Sequence, residues 1–106
     1  METRRDVFHA IADPTRRAIL ILIASQAMTP NALAEHFDAS RQAVSRHIKV
    51  LTECQLVEQV QSGREIYYHL NPDKMKEIEN WLAPFTKMWS DRFSRLDKIL
   101  PNIKSK

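Results

Sequence analysis

Three dipeptides, Asp13-Pro14, Thr29-Pro30 and Asn71-Pro72, together with the single glycine, Gly63, constrain the fold of this chain more than any other feature. An Asp, Thr or Asn side chain accepts a hydrogen bond from an unpaired amide of a first helical turn, and proline at the next position already has the φ that turn requires. The first two pairs predict helix starts. The third ends one element and is placed to cap the next. Glycine tolerates the left-handed backbone of a tight turn, so Gly63 marks where the chain reverses.

Periodicity fills the intervals. A first helix is predicted over Arg4–Ala12, with Val7, Phe8 and Ile11 as its apolar stripe. A second runs from Pro14 to about Ala24, burying Ala18, Ile19 and Leu22, with Ile23 beside them. Ser25–Met28 is a short turn or strand. A third helix covers Pro30–Phe37, with Leu33, Ala34 and Phe37 inward, and Asp38-Ala39 makes a turn. Ser40 caps a fourth helix ending near Glu53–Gln55. The period then changes to two: Leu56–Val60 and Ile66–Leu70 read as strands around the turn Gln61–Arg64. From Asp73 to Leu100 the residues Met75, Ile78, Leu82, Phe85, Trp89, Phe93, Leu96 and Leu100 recur three or four apart, flanked by Trp81 and Met88. Pro84 should kink this helix or divide it, and Pro101 should end it, leaving a loose tail at 101–106.

The fold class that follows is mainly α with a small β-hairpin, a winged helix-turn-helix in which the hairpin is the wing. It forms a single domain over residues 1–100, with a DNA-binding core at 14–70 and a dimerising helix or pair of helices at 73–100. At 106 residues and 43% hydrophobic content the chain can build one core, and full disorder is excluded. No apolar run is long enough to span a membrane. The opening Met1–Asp6 lacks a following apolar stretch, so the expected location is the cytoplasm. Cys54, alone, allows no internal disulfide.

Charge then points to function. The net charge is only +3, and residues 1–69 are neutral, yet 39–52 hold Arg41, Arg46 and Lys49 and no carboxylate. In the fourth helix Val44, Ile48 and Leu51 form an inward face, and Gln42, Ser45, Arg46 and Lys49 form the opposite one. Such a face suits the DNA major groove. Gln42 fits adenine or another base edge; Arg46 fits guanine or a phosphate; Ser40, Arg41, Ser45 and Lys49 fit phosphates that set register. His47, between the faces, is either a half-buried packing residue or a phosphate contact. Arg64 at the hairpin tip either reaches a phosphate or the minor groove or is an ordinary exposed turn residue. The aromatic stripe either seals a homodimer or packs on the chain's own first helix. His9, His36, His47 and His69 are scattered, so neither metal nor cofactor is expected. No phosphate-binding glycine loop or paired-carboxylate pattern is present, and Cys54 lies at the helix end that does not activate a thiol, so no enzymatic activity is expected.

Three stretches resemble the arsenical-resistance-repressor (ArsR) family: Asp13-Pro14-Thr15-Arg16-Arg17-Ala18-Ile19-Leu20, the segment Ser40–Leu51, and the hairpin with Leu56-Val57, Gly63-Arg64 and Tyr67–Leu70. The match spans about residues 4–71. The resemblance implies a dimeric repressor of double-stranded operator DNA, with Ser40, Gln42, Ser45, Arg46 and His47 at or near the DNA and Arg64 reaching it from the wing. It also implies a dimer contact between first and last helices, which here places Val7, Phe8, Ile11, Leu82, Phe85, Trp89, Phe93 and Leu96 at the interface. Metal-sensing members carry a cysteine pair at the start of the third helix, where this chain has Asn31–Glu35, or ligands on the last helix, where Asp91 has no histidine companion. The chain is therefore similar to the metal-independent, autorepressor-like branch, with a small molecule, a partner protein or its own concentration as the signal. A protein-interaction module on the same scaffold, or the same repressor gated by a small-molecule or metal effector, are the alternatives.

Overall fold

The computed structural model describes residues 6–104. Its elements are α1 (Val7–Ile11), α2 (Pro14–Ser25), α3 (Pro30–Ala34), α4 (Arg41–Glu53), β1 (Val57–Ser62), β2 (Glu65–Leu70) and α5 (Pro72–Lys104). Contacts divide the chain into two compact units, one through Lys76 and one from Glu77 onward.

Each helix begins where a side chain satisfies its first turn. Asp6, Asp13, Thr29 and Ser40 accept from the amides of His9, Arg16, Ala32 and Ala43 at 2.9–3.1 Å. Asn71 Oδ1 accepts from Asp73 N at 3.1 Å and Lys74 N at 3.4 Å. The cap–proline expectation therefore holds at Asp13, Thr29 and Asn71, with Pro14, Pro30 and Pro72 as the first residues of their helices. The first helix is shorter than expected because Asp6 caps it; Arg4 and Arg5 lie outside the described residues. The third ends at Ala34, and residues 35–39 turn toward Ser40.

The end of α4 is a two-bond helix stop. Leu56 N donates to Leu51 O and Gln55 N to Thr52 O, both at 3.0 Å. Gln55 takes the left-handed φ of +65° that this geometry needs. Leu51 and Leu56, which such a motif brings together, are both fully buried. Leu56 thus belongs to the stop, not to the first strand.

The hairpin pairs β1 and β2 antiparallel, with Val57 opposite Leu70 and Ser62 opposite Glu65. Its turn is tighter than expected: Gly63 and Arg64 alone connect the strands, with Gly63 at φ +64°. Met28 exchanges two main-chain bonds with Tyr68, at 2.8 and 3.1 Å, which makes the segment before α3 a strand-like third partner. Asn71 ties the hairpin's end to the stop of α4 through Leu56 O (2.9 Å) and Gln55 O (3.1 Å).

The core gathers Val7 and Ala10 of α1, Ile19, Leu20 and Ile23 of α2, Met28, Leu33 of α3, Val44, Ile48 and Leu51 of α4, and Cys54, Leu56 and Val57 beyond it. Ala18 and Leu22, expected inward, are only half-buried, and so are Ala34 and Phe37. No polar or charged residue is fully buried among the described residues.

The last helix corrects one expectation and narrows another. Pro101 does not end α5, and Pro84 does not divide it; the helix continues for 33 residues. Proline removes one amide donor. The carbonyl that loses its partner to Pro84 is that of Asn80, on an exposed turn where water can take the donor's place.

Gln55 holds a conformation that costs an L-residue about 1–2 kcal/mol and glycine nothing, while glycine adds backbone freedom to the unfolded chain. Gln55→Gly should therefore raise the urea unfolding free energy by about 0.5–1 kcal/mol. A loss of stability would show that the Gln55 side chain contributes more than the backbone strain costs.

Candidate nucleic-acid interface

Ser40 starts α4, and burial of Val44, Ile48 and Leu51 fixes which side of it faces out. The opposite side carries Gln42, Arg46 and Lys49, all exposed and none with a side-chain hydrogen bond among the described residues. The inward face is the one expected from spacing; of the expected outward face, Ser45 is half-buried on a flank.

Both flanks of this helix are held by polar contacts. On the α3 side, Arg41 Nε donates to Asn31 Oδ1 and Arg41 Nη1 to Ser45 Oγ, each at 2.6 Å. On the α2 side, His47 Nδ1 lies 3.5 Å from Arg16 Nη1 and 3.8 Å from Asp13 Oδ2. Arg16 also donates to the α1 carbonyls of Ala10 (Nε, 2.7 Å) and His9 (Nη2, 3.0 Å), and Arg17 Nη1 donates to Ile11 O at 2.7 Å. Two arginines thereby bind the carbonyls at the end of α1, adding to the Ala12 amide that donates to His9 O at 3.3 Å, and one of them reaches on to α4.

The seven α4-region residues predicted at the DNA therefore separate. Gln42, Arg46 and Lys49 stand free on the outward face. Arg41 and Ser45 lie on one flank and bind each other; His47 lies on the other, 26% exposed. Ser40 uses its oxygen as the cap acceptor. Arg64 sits at the hairpin tip, exposed and with no side-chain bond among the described residues. Near it Tyr67 Oη donates to Glu65 Oε2 at 2.9 Å, and that carboxylate pushes the phenol above its ordinary value.

The residues predicted at a dimer contact also separate. Val7 is 1% exposed and belongs to the core of its own chain, so it has no surface to offer a partner. Phe8 is 39% exposed and Ile11 half-buried. Leu82, Phe85, Trp89, Phe93 and Leu96 are all exposed, with Trp81 and Met88 beside them. Trp81 and Phe85 stack tilted at 4.9 Å between ring centres, Trp89 and Phe93 edge-on at 5.1 Å. Arg92 lies in the same apolar groove as Phe85, Met88, Trp89, Phe93 and Leu96.

Asp13, Arg16 and Asn31 were missed as parts of this surface. Asp13 was legible only as a cap, and nothing local in the sequence links it to His47. Among the described residues no group of three His, Cys, Asp or Glu side chains is placed to hold a metal, and no helix is long and apolar enough to cross a membrane.

Residues 11–60 match the family model described as a helix-turn-helix domain. The transcriptional repressor SdpR of Bacillus subtilis is 39% identical over 80 residues, covering 76% of this chain and 89% of that one. The chain belongs to the ArsR family of winged helix-turn-helix transcriptional regulators. A crystal structure of a possible transcriptional regulator for arsenical resistance superposes on it with a TM-score of 0.68 at 42% identity, over 86% of this chain and 92% of that one. An ArsR-like transcriptional regulator from Rhodococcus sp. RHA1 gives 0.67 at 32% identity, over 88% of each. In ArsR terms, α3 and α4 are the helix-turn-helix, and β1 and β2 the wing. These relatives are transcriptional regulators, not enzymes.

Asp13 lies beside Arg16 and His47, where α2 meets α4. Partial burial pushes its carboxyl up, but the Arg16 amide and the charges of His47 and Arg16 outweigh this and hold it below its usual 3.8. A depressed carboxylate stabilises fully above its unfolded value and loses that contribution as pH falls through the lower folded value. Asp13→Ala should lower stability at neutral pH by about 1 kcal/mol, the worth of a helix cap. Asp13→Asn keeps a capping oxygen and should lose much less at neutral pH. Its gap from the parent should narrow as pH falls below 3.8 and through the lower folded value, as urea unfolding across that range would measure. An unchanged gap would mean that the charge of Asp13 contributes nothing.

Proposed function

We propose that this ArsR-family chain is a homodimeric repressor that binds its operator through the outward face of α4 and blocks a promoter sterically. The observation that carries the reading is the acid-free face of Gln42, Arg46 and Lys49 on a helix held at both flanks. A helix fixed in orientation presents the same side chains to every duplex, which base reading requires. Gln42 and Arg46 are assigned to base edges or phosphates, Lys49 and Ser40 to phosphates, His47 to a phosphate at the edge of the surface, and Arg64 to the backbone or minor groove beside the wing. The name of the relative SdpR, a transcriptional repressor, supports the direction of control.

Self-association is assigned to α5, with Phe8 and Ile11 as the α1 contribution. A stripe holding two tryptophans and two phenylalanines, each about half exposed, exceeds what a lone helix leaves to water. Two copies place two recognition helices on one duplex, as half-sites about one helical turn apart demand. We assign the chain to the metal-independent branch, because the start of α3, Pro30–Ala34, carries no thiol and α5 no histidine.

Fluorescence anisotropy against the duplex upstream of its own gene, with a scrambled duplex as control, tests the reading. Tight binding with a large preference over the scramble is expected, and weak, equal, steeply salt-dependent binding to both would overturn it. Arg46→Ala should weaken operator binding by about 1–3 kcal/mol at matched salt. Loss confined to the operator would mark a base contact, and loss shared with the scramble a phosphate contact; unchanged affinity removes Arg46 from the surface. Trp89→Glu should weaken self-association about 30-fold or more in sedimentation equilibrium and reduce operator binding with it. Added zinc or cadmium should leave operator affinity unchanged; a metal-dependent release would place the chain among metal sensors instead.

A further inference from the structure

We propose that Asn31 is a specificity-determining positioning residue: by holding Arg41 against Ser45, it biases the Ser45 hydroxyl to act as a hydrogen-bond donor toward DNA. The inference rests on the reading of α4 as the DNA-contacting helix and assigns the chemistry of one position on it.

Arg41 carries five N–H donors and no acceptor. Only the oxygen of the Asn31 amide can therefore face Arg41 Nε, which fixes the orientation of that amide. With Nε anchored there, Nη1 is aimed at Ser45 Oγ, one helical turn along α4. Ser45 thus has an oxygen lone pair occupied by a cation, and its proton is directed elsewhere.

Hydroxyls within helices commonly return their proton to a carbonyl one turn back. Three others here do so: Thr52 to Ile48 O at 2.8 Å, Ser25 to Leu22 O at 2.8 Å and Thr86 to Leu82 O at 3.1 Å. Ser45, in the middle of α4, makes no such bond among the described residues. Its proton is therefore an uncommitted donor on that flank, beside the remaining N–H groups of Arg41, and the guanidinium behind the oxygen polarises it. The same guanidinium repels any DNA donor that approaches the oxygen. An unclamped serine either donates or accepts and tolerates either kind of base edge. A serine clamped this way, with one of its two lone pairs taken and a cation beside the other, favours an acceptor partner: a purine N7, a guanine O6, a thymine O4 or a phosphate oxygen. The exocyclic amino groups of cytosine and adenine are disfavoured at that contact.

The test uses a duplex selected from a random pool by the full-length wild-type protein. Single acceptors are then removed one at a time. In one arm base analogues lack a major-groove acceptor (7-deazapurines, 2-aminopurine for guanine, a 4-deoxo pyrimidine for thymine). In the other arm single methylphosphonates replace phosphates. The readout is the ratio of affinities for native and modified duplex, which cancels general changes in fold or charge. At one position the wild type should lose about 2- to 10-fold, the range a net hydrogen bond carries. Ser45→Ala should show no loss there, and Asn31→Ala should bring the ratio close to one. Asn31→Asp, which keeps the oxygen that holds Arg41, should retain the ratio even though its charge weakens binding to every duplex. The arm that shows the effect tells a base contact from a backbone contact. If no position is sensitive in the wild type and insensitive in Ser45→Ala, Ser45 is not a donor to DNA and the proposal fails while DNA binding stands. If Asn31→Ala keeps the full ratio, the positioning role of Asn31 fails. If selection recovers no duplex, the DNA-binding reading falls and takes this proposal with it.

Discussion

A five-residue helix does not persist in water by itself, and α1 and α3 are both that short. What holds them is the satisfaction of their ends. Asp6 and Thr29 cover the amides at their starts, and Arg16 and Arg17 cover the carbonyls at the end of α1. Apolar burial of Val7, Ala10 and Leu33 then fixes these short pieces against α2 and α4. The rest of the first unit depends on this arrangement, because α4 can present a constant face only if the pieces beside it stay helical and in place.

How much of this was legible in the sequence follows from range. Caps, the glycine turn and the apolar stripes are local, and Asp13, Thr29, Ser40, Asn71 and Gly63 did what their neighbours in sequence predict. Contacts across elements were not legible: Asn31 meets Arg41 ten residues away, and Arg16 meets His47 thirty-one away. Local pattern also misplaced the end of α5 at Pro101, because a missing hydrogen bond on an exposed turn is replaced by water and disrupts less than one in a core. Val7 was placed at a dimer contact by the family resemblance together with the apolar stripe of the first helix. The stripe does not tell which of its residues face the chain's own core, and Val7 is one that does.

The second unit poses the opposite problem. Its helix has no core of its own, and its aromatic rings pack chiefly on each other along the helix. Arg92 among them matters to any partner that covers the stripe. A guanidinium removed from water needs a carboxylate or several carbonyls to replace its hydration. The partner surface must therefore supply acceptors at that point, which restricts register as well as identity.

The Met28–Tyr68 exchange has a mechanical consequence. Tyr68 is held on one side by Gln59 in β1 and on the other by Met28, and Asn71 is fastened to Leu56. The root of the hairpin is thus fixed at several points, whereas beyond Tyr68 each strand has only the other. The free span from Tyr68 to the Gly63–Arg64 turn is about 15 Å at ~3.4 Å per residue. Such a piece behaves as a cantilever. Under load its curvature is greatest next to the fixed root and its displacement greatest at the tip, where Arg64 stands. A load applied at the tip passes through Met28 into the first turn of α3, which connects the wing to the helix-turn-helix through the main chain.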